Sequence, residues 1–383
     1  PTTPTEKPSE NPTTSPTPPT TTTTKAVPTT TTTEPDTVGP TTQPEPEPPT
    51  TVSTSASTSG TTPTTPTSAT PPPPADDVPP VLAGNVAESS FLKDCKVRDT
   101  ATEEIIVPAN KQELQLLLAR IVKKELGSSS TYGTPGTTGY MAAQKAQAIA
   151  SYTYILYYTR SSGKPYSCRL PAFNAASGTD KLIYDAVGEV AGIKLLQNNA
   201  PICATYFASS AGVTADNKNV FGADLPYLKS VVSAYDTAQY VGDPYWEKAL
   251  TLSRDEVLRD LEEALGSEIT CSGNAFAVTK YDPYGKYTLE TNLCYTTKYG
   301  YERTISGYQF ASILGLRSHA FTVVSSGSEI VLKEQGFGHG VGMSQWGAAG
   351  YAKHENWDYR RILSHYYSVT SSSGHRLVAP VWA

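Results

Sequence analysis

The sequence predicts an α+β fold for most of its 383 residues. Amphipathic helical patterns and short strand-like runs follow one another without the regular alternation that builds a doubly wound sheet. Capping residues mark several helix starts, and turn residues separate pairs of strands. Residues 1–80 differ, because they are almost wholly Pro and Thr with some Ser and Glu. We therefore expect one large globular domain at 81–383, of two lobes around a groove, preceded by a linker at 1–80.

The linker is expected to be disordered because it has almost no apolar residues from which a core could form. An extended chain rich in polyproline II rises about 3.1 Å per residue, so this segment would serve as a spacer. The alternative is disordered filler without a function of its own.

The globular part begins with a well-marked helix. Asn110, followed three residues later by Glu113, has the form of a capping box. Apolar residues from Leu114 to Leu126 then form a wide helical stripe, and Gly127 is placed to end the helix. A second helix, rich in alanines and aromatics, is predicted over about 140–159.

The later elements mix strands and helices. We predict, in chain order, two strands around a turn at 197–199, a helix capped by Ser253, two strands around a turn at 282–285, a helix capped by Ser306, a hairpin over 321–333 and one or two helices over 348–367.

Charge and hydropathy exclude some classes of partner. The net charge is −6, and no cluster of Lys and Arg resembles a nucleic-acid-binding surface. No run of about eighteen apolar residues is present, so we expect no membrane span in this chain. Together with the Pro/Thr linker, these features favour an extracellular protein.

The cysteines carry no metal-binding pattern. None forms a CxxC motif or a Cys/His zinc spacing, so we expect neither a metal nor another cofactor. In an oxidising compartment they could form disulfides. Cys271 with Cys294 is the first candidate pair and Cys168 with Cys203 the second, which leaves Cys95 unpaired. Buried free thiols are the alternative for all five.

One segment near the C-terminus stands out, the run GFGHGVGMSQWGAAGYA from Gly336 to Ala352. Alternate glycines are unfavourable in helices and strands, and they occur where backbone must turn sharply or lie close to another group. A Gly-rich turn entering a helix would explain the pattern without any function. His339, Ser344 and Gln345 lie on this backbone, and we interpret it as part of a binding surface.

Several runs together resemble the stage II sporulation protein D/LytB family, secreted bacterial proteins that act on peptidoglycan. The matching runs, in order, are AAQKAQAIASYTY, PICATYFASSAGVT, GADLPYLKSVVSAYD, LGLRSHAF, the Gly-rich run and ILSHYY. They extend from about 105 to 370. Tyr152 stands where the family usually has Arg, and Val213 replaces a Gly.

The resemblance implies a lytic transglycosylase. Such enzymes cleave the β-1,4 bond between MurNAc and GlcNAc, preferably in glycan strands without stem peptides, and leave 1,6-anhydro-MurNAc ends. One residue acts first as acid and then as base, whereas ordinary glycosidases use two carboxylates. In the family this is a Glu in a V-x-x-E pattern, which corresponds to Glu125 here. The location implied is extracellular or associated with the cell wall.

The position of Glu125 at the end of its predicted helix suits a general acid. In the last turn of its helix the macrodipole disfavours negative charge, which raises the pKa of the carboxyl. Partial burial would raise the pKa further. Lys123 and Lys124 are expected to oppose this only weakly, because side chains at these spacings point elsewhere. Without the family pattern, a solvated surface Glu would be the simpler interpretation.

The resemblance also suggests residues that bind the glycan strand. They lie on the helix behind Glu125, at the end of a strand and in the Gly-rich segment: Gln147, Tyr206, Ser209, Ser210, His339, Ser344 and Gln345. Each has a purely structural alternative, such as a turn cap for the serines or a packed ring for His339. We expect the fold to bring His339 and Gln345 into the same cleft as Glu125.

Three other functions remain open at this point. LytB-type proteins include enhancers of cell-wall amidases, so the domain could bind glycan strands and assist an amidase partner. A cysteine hydrolase would use Cys203 or Cys168 with His339. A zinc-dependent hydrolase is disfavoured because no HExxH motif is present.

Overall fold

The computed structural model of the chain describes residues 78–127, 136–236, 246–271, 276–369 and 374–382. The predicted disordered linker at 1–80 lies almost wholly outside this range. The described residues form a mixture of helices and sheets in one globular region, which confirms the predicted α+β class.

The helices of the described residues number nine. They are α1 (Ser89–Leu92), α2 (Lys111–Leu126), α3 (Thr138–Ser162), α4 (Gly178–Gly188), α5 (Asn217–Val220), α6 (Arg254–Leu265), α7 (Gly307–Ile313), α8 (Gln345–His354) and α9 (Tyr359–Tyr366). None of them combines the length and the apolar character needed to cross a lipid bilayer.

The strands are short and fall into five small sheets. In chain order they are β1 (Val97–Asp99), β2 (Ile105–Ile106), β3 (Tyr166–Cys168), β4 (Lys194–Gln197), β5 (Ala200–Pro201), β6 (Tyr206–Phe207), β7 (Lys248–Ser253), β8 (Ile269–Cys271), β9 (Val278–Tyr281), β10 (Thr288–Thr296), β11 (Glu302–Ser306), β12 (Phe321–Ser326), β13 (Glu329–Glu334), β14 (Met343–Ser344) and β15 (His375–Val378). The sheet orders are β2-β1-β3, β11-β10-β8 with β9 on β10, β12-β13-β7, β14-β6 and β15-β4-β5.

The predicted helix signals are present at the helix ends. Asn110 Oδ1 accepts from the Glu113 amide at 3.0 Å, and Glu113 Oε2 accepts from the Ala109 amide at 2.8 Å. Ser306 Oγ accepts from the Gln309 amide at 3.0 Å at the start of α7. Ser253 occupies the N-cap of α6, but its side chain makes no capping hydrogen bond.

The predicted hairpins also form. Asn198 and Asn199 both have positive φ, as a two-residue turn between β4 and β5 requires. β9 and β10 pair across the turn at 282–285, and β12 pairs with β13 over six residues. The predicted helical stretch at 348–367 is divided into α8 and α9.

Two hydrophobic cores lie within the described residues. The larger is built mainly by the helices α2, α3, α8 and α9 with β4 and β6. The smaller is built by α6, α7 and strands between β7 and β13, and includes Leu261, Phe310 and Leu332. Both cores lie in the one globular region, and the predicted pair of lobes around a groove stays a prediction.

The two departures from the family pattern have structural counterparts. The Tyr152 hydroxyl donates to Glu88 Oε1 at 2.5 Å, and Lys194 Nζ donates to Glu88 Oε2 at 2.5 Å. Lys194 therefore supplies a positive charge beside the position where the family usually has Arg. Val213 pairs with Val232 in an isolated bridge, and the neighbouring Gly212 takes the positive φ of the turn.

Neither predicted disulfide is present. Cys95, Cys168, Cys203 and Cys294 are free, so both pairings were wrong. The strand register explains the first, because Cys271 lies opposite Leu293 rather than Cys294. Adjacent residues of a strand face opposite sides of the sheet, which prevents a bridge between Cys271 and Cys294. The side chain of Cys271 itself lies outside the described part of the structure.

Candidate active site

Glu125 lies in the last turn of α2 and is almost completely buried, with 2% of its surface exposed. Gly127 ends the helix with a φ of 68°, a conformation that favours glycine. The helix therefore ends as the sequence predicted, and the carboxyl group lies inside the protein rather than on a solvated turn.

A buried hydrogen bond joins Glu125 to the Gly-rich segment. Gln345, the first residue of α8, donates through Nε2 to Glu125 Oε2 at 3.3 Å. The same nitrogen donates to Gln147 Oε1 at 3.3 Å, and Gln147 lies on α3. The helices α2, α3 and α8 thus meet at the carboxyl group, and Gln345 lies close to Glu125 as the sequence predicted.

The polar chain continues away from Glu125. Gln147 Nε2 donates to Ser151 Oγ at 3.0 Å, one turn further along α3. The Ser151 hydroxyl in turn hydrogen-bonds to the hydroxyl of Tyr206, which also bonds to the hydroxyl of Tyr166. Tyr206 is buried, so the structure places it behind the carboxyl group, at the end of this chain.

Burial governs the protonation of Glu125. Desolvation raises the pKa of its carboxyl group, while the Lys124 ammonium and the hydrogen bond from Gln345 lower it by less. Glu125 Oε1 is buried and faces the Lys124 ammonium at 3.7 Å. A raised pKa is a property that a general acid needs.

The prediction that neither neighbouring lysine approaches Glu125 was right for Lys123 and wrong for Lys124. Lys123 points away from Glu125 and pairs with Asp180 at 2.9 Å. Lys124, by contrast, folds back so that its Nζ lies 3.7 Å from Glu125 Oε1. The Lys124 side chain is mostly buried. Its flexible stem lets the ammonium reach the carboxyl group of Glu125, although adjacent side chains on a helix start in different directions.

Ser210 and Ser344 meet at a buried aspartate that the sequence analysis did not single out. Asp236 Oδ2 accepts from the Ser210 amide at 3.0 Å, and Asp236 Oδ1 accepts from Ser344 Oγ at 2.8 Å. Asp236 ends the matched run GADLPYLKSVVSAYD, and its position there was the available signal. The Ser151 hydroxyl was also missed, although it follows Gln147 by four residues and so lies on the same helix face.

The serine hydroxyls serve local backbone groups in this structure. Ser210 Oγ accepts from the Gly212 amide at 3.1 Å, and Ser344 Oγ accepts from the Gly347 amide at 3.1 Å as the cap of α8. Ser209 pairs through its backbone with Phe337. Their predicted contacts with a glycan strand stay predictions.

His339 lies in an aromatic cluster. Its ring packs against Phe207 at a centroid distance of 5.6 Å and against Phe221 at 5.3 Å. Its Nδ1 accepts from the Val341 amide at 3.1 Å, and desolvation lowers the pKa of the ring to about 4. Among the described residues no hydrogen bond or ring contact joins His339 to Glu125, so only Gln345 of the expected pair reaches the carboxyl group.

The Gly-rich segment packs its backbone tightly against the strand region that begins at Thr205. All four alternating glycines have positive φ, between 75° and 107°. A Cβ at Gly342 would lie 2.1 Å from the Thr205 carbonyl oxygen, and one at Gly336 would lie 2.5 Å from that of Ser209. Both reasons for glycine that the sequence suggested, an unusual backbone conformation and close approach, apply at these positions.

This chain is similar to named sporulation proteins over much of its length. It is 32% identical to stage II sporulation protein D of Bacillus subtilis (strain 168) over 194 residues, which cover 50% of this chain and 51% of the relative. It is 30% identical to stage II sporulation protein D of Bacillus amyloliquefaciens over 245 residues, which cover 59% of this chain and 66% of the relative. The chain belongs to the stage II sporulation protein D family.

The similarity covers only part of these relatives, and a protein with another name also matches. The chain spans about half the length of the first stage II sporulation protein D and about two thirds of the second. It is also 24% identical to the amidase enhancer of Bacillus subtilis (strain 168) over 288 residues, covering 61% of this chain and 38% of that relative. No family model matches the chain.

The described geometry disfavours the cysteine-hydrolase alternative for this family member. Burial raises the pKa of Cys168 and of Cys203 to about 12 in each case, so neither thiol is activated as a nucleophile. Within the described segments, no three His, Cys, Asp or Glu side chains are grouped so that they could hold a metal ion.

Proposed function

We propose that the protein is a lytic transglycosylase that cleaves MurNAc–GlcNAc bonds in glycan strands of peptidoglycan, with Glu125 as its acid and base. The observation that carries this proposal is the carboxyl group of Glu125, which is buried, held by Gln345 on one oxygen and close to the Lys124 ammonium on the other. A single carboxyl group suffices when the sugar's own C6 hydroxyl is the nucleophile.

The proposed reaction conserves the proton. Glu125 gives its proton to the glycosidic oxygen, the bond between that oxygen and C1 of MurNAc breaks, and the GlcNAc hydroxyl leaves. The carboxylate then takes the proton of the C6 hydroxyl while O6 bonds to C1. The 1,6-anhydro ring is formed, and Glu125 regains the acid form.

The substrate side of the proposal comes from the family resemblance. Gln147, Tyr206, Ser209, Ser210, His339, Ser344 and Gln345 are proposed to form or support the wall of a glycan-binding groove. In the Gly-rich segment, Phe337, Gly338 and His339 are partly exposed and could reach a bound glycan strand. An extracellular or cell-wall-associated location, with residues 1–80 as a spacer, is part of the same proposal.

A direct test is digestion of glycan strands stripped of stem peptides, followed by mass spectrometry of the products. We expect anhydro-MurNAc ends from the wild-type protein and none above background from Glu125→Gln. Glu104→Gln is the matched control, because Glu104 is an exposed acid without a role in the site. Products with ordinary reducing ends would contradict the proposed chemistry.

The similarity to the amidase enhancer supports a second candidate function. In that case the domain binds glycan strands and stimulates a cell-wall amidase without cutting the strand itself. Glu125→Gln would then keep both strand binding and stimulation, and wild-type protein alone would release no anhydro product. The same digestion, with and without an added amidase, distinguishes the two functions.

A further inference from the structure

The two glutamines beside Glu125 form a buried hydrogen-bonded chain. Gln345 Nε2 makes two hydrogen bonds, to Glu125 Oε2 and to Gln147 Oε1. Gln147 Nε2 in turn donates to Ser151 Oγ, so the chain runs from the carboxyl group through both amides to a hydroxyl on the same helix as Gln147.

The two oxygens of Glu125 meet different groups. Oε2 accepts from Gln345, and Oε1 faces the Lys124 ammonium at 3.7 Å. Gln345 Oε1 is buried and has no hydrogen-bond partner among the described residues. Buried polar atoms are rarely left unpaired in native proteins, and the exceptions call for an explanation such as catalysis.

We propose that Gln345, oriented by Gln147, holds the carboxyl group of Glu125 in the position from which it gives a proton to the glycosidic oxygen and later accepts one from the C6 hydroxyl. A hydrogen bond from an amide N–H to Oε2 favours the carboxylate over the neutral acid. Loss of this bond should therefore change both the position and the titration of Glu125. This inference rests on the proposed function for its chemical step.

The rigidity of the arrangement supports a positioning role. Gln147, Gln345 and Ser151 are each almost fully buried, and they lie on the helices α3 and α8 rather than on loops. Groups held by packed helices and by further hydrogen bonds keep an acid closer to its productive geometry than loop residues do. Gln147 and Gln345 are positioning residues in this account, because they act through Glu125.

Other titratable groups face the same carboxyl group. Lys124 approaches Oε1 on α2, Tyr166 and Cys168 face it from β3, and Tyr206 faces it from β6. Desolvation raises the pKa of each tyrosine and of the thiol, which favours their neutral forms. A change in the titration of Glu125 on replacing a glutamine therefore reports the lost hydrogen bond.

The test measures the titration of Glu125 apart from activity. Protein labelled with ¹³C at glutamate carboxyl groups is titrated by NMR as the wild type, Gln345→Met, Gln147→Met and the control Gln144→Met. Gln144 lies on α3 one turn before Gln147 and is equally buried, but among the described residues no hydrogen bond joins its side chain to Glu125. We expect the pKa of Glu125 to rise in Gln345→Met, to rise less in Gln147→Met and to stay unchanged in Gln144→Met.

The kinetic part uses the same variants on stripped glycan strands. A misplaced acid lowers kcat by about ten- to a hundredfold, and a loss that falls on kcat rather than on KM distinguishes positioning of the acid from a contact with the strand. The alkaline limb of the pH profile should move upward together with the NMR titration. If Gln345→Met does not fold, Gln345→Asn keeps the amide but shortens it, and the same shifts are expected.

The outcomes separate this inference from the proposed function. An unchanged pKa of Glu125 in both glutamine variants would overturn the inference. A raised pKa with unaltered kcat in an active enzyme would overturn its catalytic part. Raised pKa values in a protein that releases no anhydro product even as the wild type would leave the hydrogen-bond arrangement standing and refute the proposed function.

Discussion

Two opposing influences set the protonation of Glu125 at the scale of single residues. Burial raises the pKa of the carboxyl group, and the ammonium of Lys124, 3.7 Å from Oε1, lowers it by less. Lys123 differs from Lys124 by one position but pairs with Asp180 instead. The two neighbouring lysines therefore form a matched pair for an experiment.

Lys124→Met should raise the pKa of Glu125 further, because it removes the nearest positive charge and keeps most of the side-chain volume. The alkaline limb of the activity profile on stripped glycan strands should move to higher pH. Lys123→Met should leave that limb in place. Equal profiles for Lys124→Met and the wild type would show that the lysine does not act on the carboxyl group.

The raised pKa of Glu125 also predicts a dependence of stability on pH. A carboxyl group whose pKa is higher in the folded state keeps its proton there after the unfolded chain has lost it. The folded state therefore loses stability as pH rises from the ordinary carboxyl value through the raised one. Glu125→Gln, which cannot ionise, should not show this loss.

The measurement is the melting temperature of wild type and Glu125→Gln across pH. The two should agree at acidic pH, where Glu125 is protonated in both states, and the variant should be the more stable at neutral and alkaline pH. Glu104→Gln should follow the wild type throughout. A variant that is less stable than wild type at alkaline pH would mean that the buried carboxylate is well compensated.

The sequence predicted Glu125 as the acid but did not predict the groups around it. The V-x-x-E pattern led to Glu125, and the expected burial gave the right sign for the effect on its pKa. The approach of Lys124 depends on the conformation of a long side chain, and the contacts of Asp236 join elements far apart in sequence, so neither follows from local spacing. His339 was expected in the same cleft as Glu125; its ring packs among aromatic side chains, and its contact with a glycan strand stays a prediction.

At the scale of elements, the Gly-rich segment joins two parts of the chain through backbone contacts. β14 pairs with β6, Phe337 bridges Ser209 and Val341 bridges Ala215. The segment leads directly into α8, whose first residue is Gln345. Tight packing of this backbone therefore sets the position of the amide that holds Glu125.

Gly342→Ala should be strongly destabilising. The new Cβ would lie 2.1 Å from the Thr205 carbonyl oxygen, and the φ of 86° is unfavourable for alanine. Left-handed strain and overpacking together cost about 2–5 kcal/mol. The free energy of unfolding in urea is the measurement.

Gly315→Ala is the control for strain without a clash. Gly315 has a φ of 64°, and a Cβ there would have nothing within 4 Å. Its expected cost is about 1–2 kcal/mol. Equal losses at the two positions would show that close approach is not the reason for glycine at 342.

The elements themselves were largely predictable because their signals are local. The caps at Asn110 and Ser306, the asparagine turn and the apolar stripe of α2 were visible in the sequence and are confirmed, whereas Ser253 makes no capping hydrogen bond. The register of β8 against β10 was not predictable from local signals. Cys271 lies opposite Leu293 rather than Cys294, and the expected disulfide between Cys271 and Cys294 was therefore wrong.

At the scale of the whole molecule, the fold joins residues that lie far apart in sequence. Glu125 and Gln345 are 220 positions apart, and the larger core brings their helices together. Family resemblance made the site predictable in outline, because its matching runs come from both ends of the domain. No local pattern would have joined them.

The fold also predicts that stability does not depend on disulfides. Cys95, Cys168 and Cys203 are buried free thiols, and Cys294 is partly exposed and free. A reducing agent should leave the melting temperature unchanged. Alkylation without reduction should modify the three buried thiols only after unfolding, and a peptide linking Cys168 to Cys203 in mass spectra would contradict this.

Cleavage of stripped glycan strands is the most direct test of the central claim. Wild-type protein and Glu125→Gln should sediment equally with insoluble strands, while only the wild type releases fragments with 1,6-anhydro-MurNAc ends. Equal amounts of anhydro product from the two proteins, at equal strand binding, would show that Glu125 is not the acid.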